Sequence, residues 1–140
     1  MLDRNEQTYK PLPVQILEKV FELADRVRNL EGGTPSYDVN NENSPTQITA
    51  DQNDYAPGDY DVLRLSTDAS RAITGLSGGV KGRRLLLINV GAFNFTLPHQ
   101  SGSSAIANRI ITKSGATVTV APNGSAELYY DSTTLRWREI

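Results

Sequence analysis

The fold is decided by the closing segment of the chain, SAELYYDSTTLRWREI at residues 125–140. Two runs of alternating apolar and polar residues flank a polar turn at 131–134, and this pattern predicts a β-hairpin. The side chains expected to meet across this hairpin are Leu128, Tyr130, Leu135 and Trp137. A chain that finishes inside its sheet, after an amphipathic helix and a polar arm, is suited to assembly rather than to catalysis.

Short strand patterns and glycine-containing turns also fill the sequence upstream of this hairpin. Residues 84–90 form a continuous apolar run, which is typical of a strand buried on both faces. Phe93, Phe95 and Leu97 alternate with polar residues, and so do Val118 and Val120. We therefore predict a mainly β fold, in which residues 61–140 form a small antiparallel β-sandwich or jelly-roll-like module.

A polar arm is predicted to precede this module at residues 32–60. The segment has turn and extended patterns with almost no aliphatic residues. Residues 32–61 carry 6 acidic and no basic side chains, whereas residues 62–140 carry 9 basic and 4 acidic ones. Two interpretations stay open: an ordinary solvated surface, or an acidic arm lying on a basic surface of its own module or of a neighbouring subunit.

An amphipathic helix is predicted over residues 14–31, between Pro13 and the Gly32-Gly33 pair. Its apolar positions have the alternating spacing of four and three residues that forms a coiled-coil-like heptad seam. These seam residues are Ile16, Val20, Leu23, Val27 and Leu30. The seam could pack on the chain's own β module or pair with identical chains. We assign residues 1–31 to an N-terminal extended anchor and oligomerisation helix.

Composition limits the possible classes of protein. The chain has 140 residues, which is enough for about one domain, and it contains no cysteine for disulfides or thiolate metal sites. No apolar run approaches the roughly 20 residues that span a membrane. The first residues lack a basic leader followed by an apolar stretch, so we expect no secretory signal and synthesis in a cytoplasm.

Motifs for catalysis or metal binding are weak. His99 is the only histidine, and no nucleophile-elbow pattern supports a triad with Ser101 and Asp131. The segment 51–54 is similar to a calcium loop, but Tyr55 stands where an oxygen ligand belongs. The glycine-rich stretch 75–82 lacks phosphate-loop spacing. We expect no enzymatic activity, no cofactor and no bound metal.

Basic residues cluster at 81–84 and again around Trp137. Stacking and phosphate contacts to nucleic acid are one interpretation. In a hairpin, however, Trp137 is expected to face the core while Arg136 and Arg138 face outward as an interface patch. We therefore expect no nucleic-acid partner and no membrane partner.

Four separated motifs resemble a β module of tailed-bacteriophage virion proteins. The motifs are ITGLSGGVKGRRL at 73–85, NVGAFNFTLP at 89–98, ANRI at 107–110 and YYDSTTLRWR at 129–138. Such modules occur at the C-terminal end of fibre, tail and head-decoration proteins. The resemblance implies a small β-sandwich presented in copies, often three, on a phage particle, with the N-terminal segment binding the virion or trimerising the fibre.

The sequence therefore predicts a non-enzymatic virion structural protein. The favoured form is a homotrimeric capsid decoration, cement or short head-fibre protein, whose partners are other copies and the major capsid protein or other virion proteins. The alternatives are a tail or baseplate component and an adhesin module that binds host-surface glycans. The residues expected in self-association beyond the helix seam are Leu85, Leu87, Trp137 and Ile140, and those expected to anchor the arm on a partner are Tyr9, Tyr37 and Tyr55.

Overall fold

The computed structural model describes residues 13–31 and 41–140, with the side chains of the helix described as far as Leu23. The chain divides into two compact units, and the division falls between Asp38 and Val39. The first unit contains a helix, and the second is built of β-strands.

The helix of the first unit, α1 (Val14–Glu31), has 18 residues, and its bounds match the helix predicted from the sequence. It begins directly after Pro13, whose carbonyl oxygen accepts hydrogen bonds from the amides of Ile16 and Leu17 at 2.9 and 3.1 Å. Proline fits this place because the first amides of a helix have no partner within it. Pairing of α1 as a coiled coil stays a prediction.

Over residues 41–140, the second unit contains nine strands and a short 3-10 turn, η1 (Ile106–Asn108). The strands are β1 (Glu42–Asn43), β2 (Val62–Leu65), β3 (Arg71–Ala72), β4 (Arg84–Asn89), β5 (Phe95–Leu97), β6 (Ile110–Ile111), β7 (Val118–Val120), β8 (Ser125–Asp131) and β9 (Arg136–Glu139). They form a six-stranded sheet in the order β1-β2-β4-β8-β9-β6 and a three-stranded sheet in the order β3-β5-β7. Over residues 13–31 and 41–140, the prediction of a mainly β protein with a helix before the strands is thus confirmed.

The prediction that the module is antiparallel is wrong, because both sheets are mixed. The final hairpin β8–β9 is antiparallel as predicted, and so are β4–β8 and β5–β7. The pairs β1–β2, β2–β4, β3–β5 and β6–β9 are parallel. The chain leaves the six-stranded sheet after β2 and again after β4, so these successive strands are joined by crossovers, and crossovers allow parallel pairing.

Three successive passes of the chain lie side by side in the same direction, at residues 41–55, 61–77 and 84–99. Each pass runs first along the six-stranded sheet, where Val62 pairs with Glu42 on one side and Leu86 on the other. Each then runs along the second sheet, where Gln52 pairs with Ile73 and Arg71 with Phe95. Residues 41–55 of the predicted arm therefore lie along the module as its first pass, and residues 56–60 form the loop that leads to the second pass.

The core combines buried side chains from all three passes with buried side chains from β6, β7, β8 and β9. Side chains from successive passes lie beside one another, as Leu63 does with Leu87, and each buried aliphatic side chain stabilises the fold by roughly 1.5–3 kcal/mol. Asn89 is a fully buried polar residue at the end of β4. Its side-chain Nδ2 donates to the carbonyl oxygens of Phe93 and Val120 at 2.9 Å, and its side-chain Oδ1 accepts from Gly91 N–H at 3.0 Å. Asn89 thereby fixes the point where the third pass leaves the six-stranded sheet.

Candidate functional site

The predicted seam of α1 is exposed over the residues whose side chains are described. Ile16, Val20 and Leu23 have 47%, 50% and 58% of their surface accessible, and Phe21 has 67%. The side chains of Val27 and Leu30 lie outside the described residues. An amphipathic helix gains most of its stability by covering its apolar face, so this face is a candidate site for association.

The residues predicted for the β core or its subunit contacts fall into two groups. Leu85, Leu87 and Trp137 are completely buried in the module's own core, so they do not reach a surface on which another copy could bind. Ile140 is 42% exposed and is available for contact.

The outward residues of the same strand, Leu86 and Ile88, are partly exposed and were not among the predicted site residues. The signal was present: Arg84 must face water, and a strand repeats every two residues, so Leu86 and Ile88 share its face.

Tyr55 anchors the first pass to its own module. Its amide donates to the Gly75 carbonyl oxygen at 2.9 Å, and its carbonyl oxygen accepts from Ser77 N–H at 2.9 Å. The side chain packs against the core, and burial raises the pKa of the phenol. Tyr55 therefore has a contact within the chain, whereas Tyr9 and Tyr37, the other two predicted anchors, lie outside the described residues.

Arg83, from the basic cluster, holds the loops at the start of the second and third passes together. Its guanidinium donates to the carbonyl oxygens of Gly78 at 2.9 Å and Tyr60 at 3.0 Å, and also to that of Gly58. It lies 5.9 Å from the ring centre of Trp137, within the range of a cation–π interaction. The role of Arg83 is therefore internal to the module.

These loops border an open groove of about 700 Å³. Its exposed charged groups are Asp59, Asp61 and Lys81, and Val80 adds an exposed apolar side chain. Carboxylates accept hydrogen bonds and the lysine ammonium donates them, so the groove can bind hydroxyl-rich or mixed-charge ligands. We call these residues the loop groove.

The calcium-like segment is used to attach the first pass to its neighbours. Asp54 Oδ1 accepts hydrogen bonds from Ala105 N–H and Asn108 Nδ2, both at 2.9 Å. The Asn108 amide is the main cause of the lowered pKa of the Asp54 carboxyl. Asp51 Oδ1 accepts from Ala72 N–H at 2.9 Å. Within residues 13–31 and 41–140, no three His, Cys, Asp or Glu side chains come together as a possible metal site.

The residues of the formal catalytic triad each have other partners. His99 Nδ1 accepts from Thr112 N–H at 3.1 Å, and Ser101 Oγ accepts from Ser103 N–H at 3.3 Å. Asp131 Oδ2 accepts from Arg138 Nε at 2.7 Å. These three side chains therefore stabilise turns and strands.

The hairpin around Trp137 has the predicted orientation, with the indole buried and the two arginines on the opposite face. The indole N–H donates to the Leu76 carbonyl oxygen at 2.8 Å. The Arg138 guanidinium lowers the pKa of Asp131 to about 2. Arg136 donates to Gln100 Oε1 at 3.2 Å and to two carbonyls of its own turn. Much of the predicted basic patch is thus engaged within the module.

No protein-family model, curated protein or solved structure matches this chain. Among the described residues, no helix has the length and apolar content required to cross a membrane.

Proposed function

We propose that this protein is a non-enzymatic structural component of a tailed-bacteriophage virion, made in the host cytoplasm. In this proposal it forms homotrimers through α1 and binds the capsid as a decoration, cement or short head-fibre protein. The two mixed sheets form a small sandwich, and many copies at fixed spacing convert modest single contacts into firm attachment.

The exposed seam of α1 is the observation on which this proposal depends most. Three apolar seam positions in succession, Ile16, Val20 and Leu23, are each about half exposed. In a chain that associates through α1, these side chains would be covered by the same residues of other copies. Self-association therefore accounts for a feature that is costly in an isolated helix.

The motifs that resemble phage virion modules occupy structural positions in this fold. Residues 73–85 include the turn between the second and third passes, residues 89–98 carry the third pass from one sheet to the other, and residues 129–138 form most of the final hairpin. The resemblance thus involves residues that build the scaffold, which supports a structural role for the module.

Co-sedimentation with empty phage capsids tests the virion role. The full-length protein should pellet with capsids of its phage and stay in solution without them, and saturation should occur at a fixed ratio of copies to capsid protein. A protein that stays in the supernatant at all capsid concentrations would exclude a decoration or head-fibre role.

Glycan binding by an adhesin module is the alternative, and the loop groove favours it. Asp59, Asp61 and Lys81 offer exposed acceptors and donors around an open volume of about 700 Å³. Pelleting with host cells or their polysaccharide, but not with capsids, would support this alternative. Loss of that pelleting in Asp59→Ala, with retention in Asp68→Ala on the β2–β3 connection, would locate glycan binding in the groove.

A further inference from the structure

The outer face of the six-stranded sheet carries a small group of apolar side chains near its centre, with charged side chains such as Glu127 on the same face. Leu86 lies beside Val62 on the neighbouring strand, with Ile88 next to it on the same face of β4. Tyr129 on β8 lies diagonal to Leu86. All four side chains are partly exposed. Side chains alternate between the two faces along a strand, and those on the face in water are normally polar. The apolar side chains here therefore indicate a face that is covered in the assembled protein.

Further apolar side chains lie towards the other edge of the sheet, separated from the central group by Glu127 and Arg138. Arg138 lies between Tyr129 on β8 and Ile111 on β6. The amide of Ile140 donates to the carbonyl oxygen of Glu127, which brings the exposed Ile140 next to the row that contains Leu86. We call this surface, formed by Val62, Leu86, Ile88, Ile111, Tyr129 and Ile140, the outer sheet face.

Charged side chains of both signs lie on the same face. Arg64 is 3.6 Å from Glu42, and Arg84 is 3.7 Å from Glu127, and the four side chains are between 44% and 69% exposed. These four side chains carry no net charge, so they do not select a strongly acidic or strongly basic partner. Another copy of the chain offers the same aliphatic centre and the same mixture of signs, so arginines of one copy can meet glutamates of the next.

We propose that the outer sheet face binds a second copy of this chain. This inference rests on the proposed self-association through α1, which would hold β modules near one another. Tethering of this kind raises the effective concentration to the millimolar range, so a small surface of about six apolar residues becomes occupied without high intrinsic affinity. The outer sheet face then completes an assembly that α1 begins.

Thiol protection tests this contact directly, because the natural chain contains no cysteine. Ile88→Cys places a thiol on the outer sheet face, and Thr96→Cys places one on the three-stranded sheet at a strand position that is also partly exposed. In the full-length oligomer, alkylation of Ile88→Cys should be at least about tenfold slower than in dilute monomer, because the contact excludes the reagent. Alkylation of Thr96→Cys should have the same rate in both states.

Introducing a charge provides the second readout. Ile88→Lys should raise the dissociation constant of the full-length oligomer by about tenfold or more, and Thr96→Lys should leave it unchanged. An oligomer whose Ile88→Cys thiol is alkylated at the monomer rate would overturn the inference while leaving self-association through α1 in place. A chain that is monomeric at every concentration would overturn both.

Discussion

Gly79 lies against the ring of Tyr130 so closely that no side chain fits. A Cβ atom at this position would be 2.1 Å from the nearest ring carbon. Tyr130 is itself held edge-on against Trp137, with ring centres 5.3 Å apart, so the ring has little freedom to move. The contact joins the turn before β4 to the final hairpin.

We expect Gly79→Ala to destabilise the module by roughly 1–3 kcal/mol, the usual cost of overpacking. The measurement is the midpoint of urea unfolding, followed by the fluorescence of the single tryptophan. Gly102→Ala is the matched control, because a Cβ atom there meets nothing within 4 Å. Equal midpoints for the two variants would contradict the tight contact.

Asp131 gives the final hairpin a defined dependence on acid. Its carboxylate accepts hydrogen bonds from Arg138 Nε at 2.7 Å and from Thr133 N–H at 2.9 Å, which lower its pKa to about 2. A carboxyl with a lowered pKa stabilises the folded state above its unfolded pKa, which is about 3.9, and this contribution is lost as the pH falls towards 2. The stabilisation is therefore complete at neutral pH.

Asp131→Asn should accordingly reduce the fall in unfolding free energy between about pH 4 and pH 2, because the group that takes up the proton is gone. Urea unfolding measured across this range provides the test. Arg138→Gln should have the same effect, and the double variant should add little to either single one. An acid dependence that is the same in the natural chain and in Asp131→Asn would contradict the assignment.

At the scale of elements, the three passes depend on the loops that join them. Arg83 donates to carbonyl oxygens in two loops, those of Gly58 and Tyr60 in one and Gly78 in the other. A planar guanidinium can reach several carbonyls at once, and a lysine ammonium cannot reproduce that geometry. Arg83 thus links the loop between the first and second passes to the loop between the second and third passes.

Arg83→Lys should destabilise the module by about 2 kcal/mol, since charged hydrogen bonds to the partly buried Tyr60 carbonyl and to the exposed carbonyls of Gly58 and Gly78 are lost. Urea unfolding is again the measurement, and Arg84→Lys on the exposed side of β4 is the matched control. If both lysine variants unfold at the same urea concentration, Arg83 does not hold the loops together.

The seam of α1 supports a second prediction at the scale of elements. Val20→Ser combined with Leu23→Ser should raise the dissociation constant of the oligomer by about tenfold or more, because buried aliphatic contacts contribute roughly 1.5–3 kcal/mol each. Sedimentation velocity measures the change. Gln15→Ser, an exposed position off the seam, should have no effect. An unchanged mass in the double variant would mean that the β module alone holds the assembly.

Local sequence patterns predicted the helix and the final hairpin well. The pairing of strands that are distant in sequence could not be predicted from these patterns. The helix and the final hairpin were predictable because each depends on neighbouring residues: a proline start, a heptad spacing and an alternating pattern around a turn. The parallel order of β1, β2 and β4 was not predictable in this way, because it depends on crossovers between sheets. Residues 41–60 were assigned to an arm because aliphatic residues are rare there, yet backbone hydrogen bonds join them to the next pass.

Local sequence patterns also could not show which side chains of the candidate surfaces are exposed. Leu85 and Leu87 were selected for their apolar character, and only the sheet shows that they are buried and that Leu86 and Ile88 face outward. The role of Arg83 depends on three carbonyl groups brought together by folding, so no sequence motif could reveal it. Asp54 has the same property, because its partners Ala105 and Asn108 lie far along the chain.

At the scale of the whole molecule, the helix and the module each present apolar surface: the seam of α1 and the outer sheet face. Exposed apolar surface of this kind is costly in an isolated chain and is removed by association of copies. The proposed self-association would cover both surfaces, so a functional unit of several chains would account for both of them.

Sedimentation equilibrium of the purified full-length protein tests this claim most directly. We expect a discrete species in the micromolar range, with a mass close to three times the 15.3 kDa of the chain. A single species of 15.3 kDa across that concentration range would contradict it.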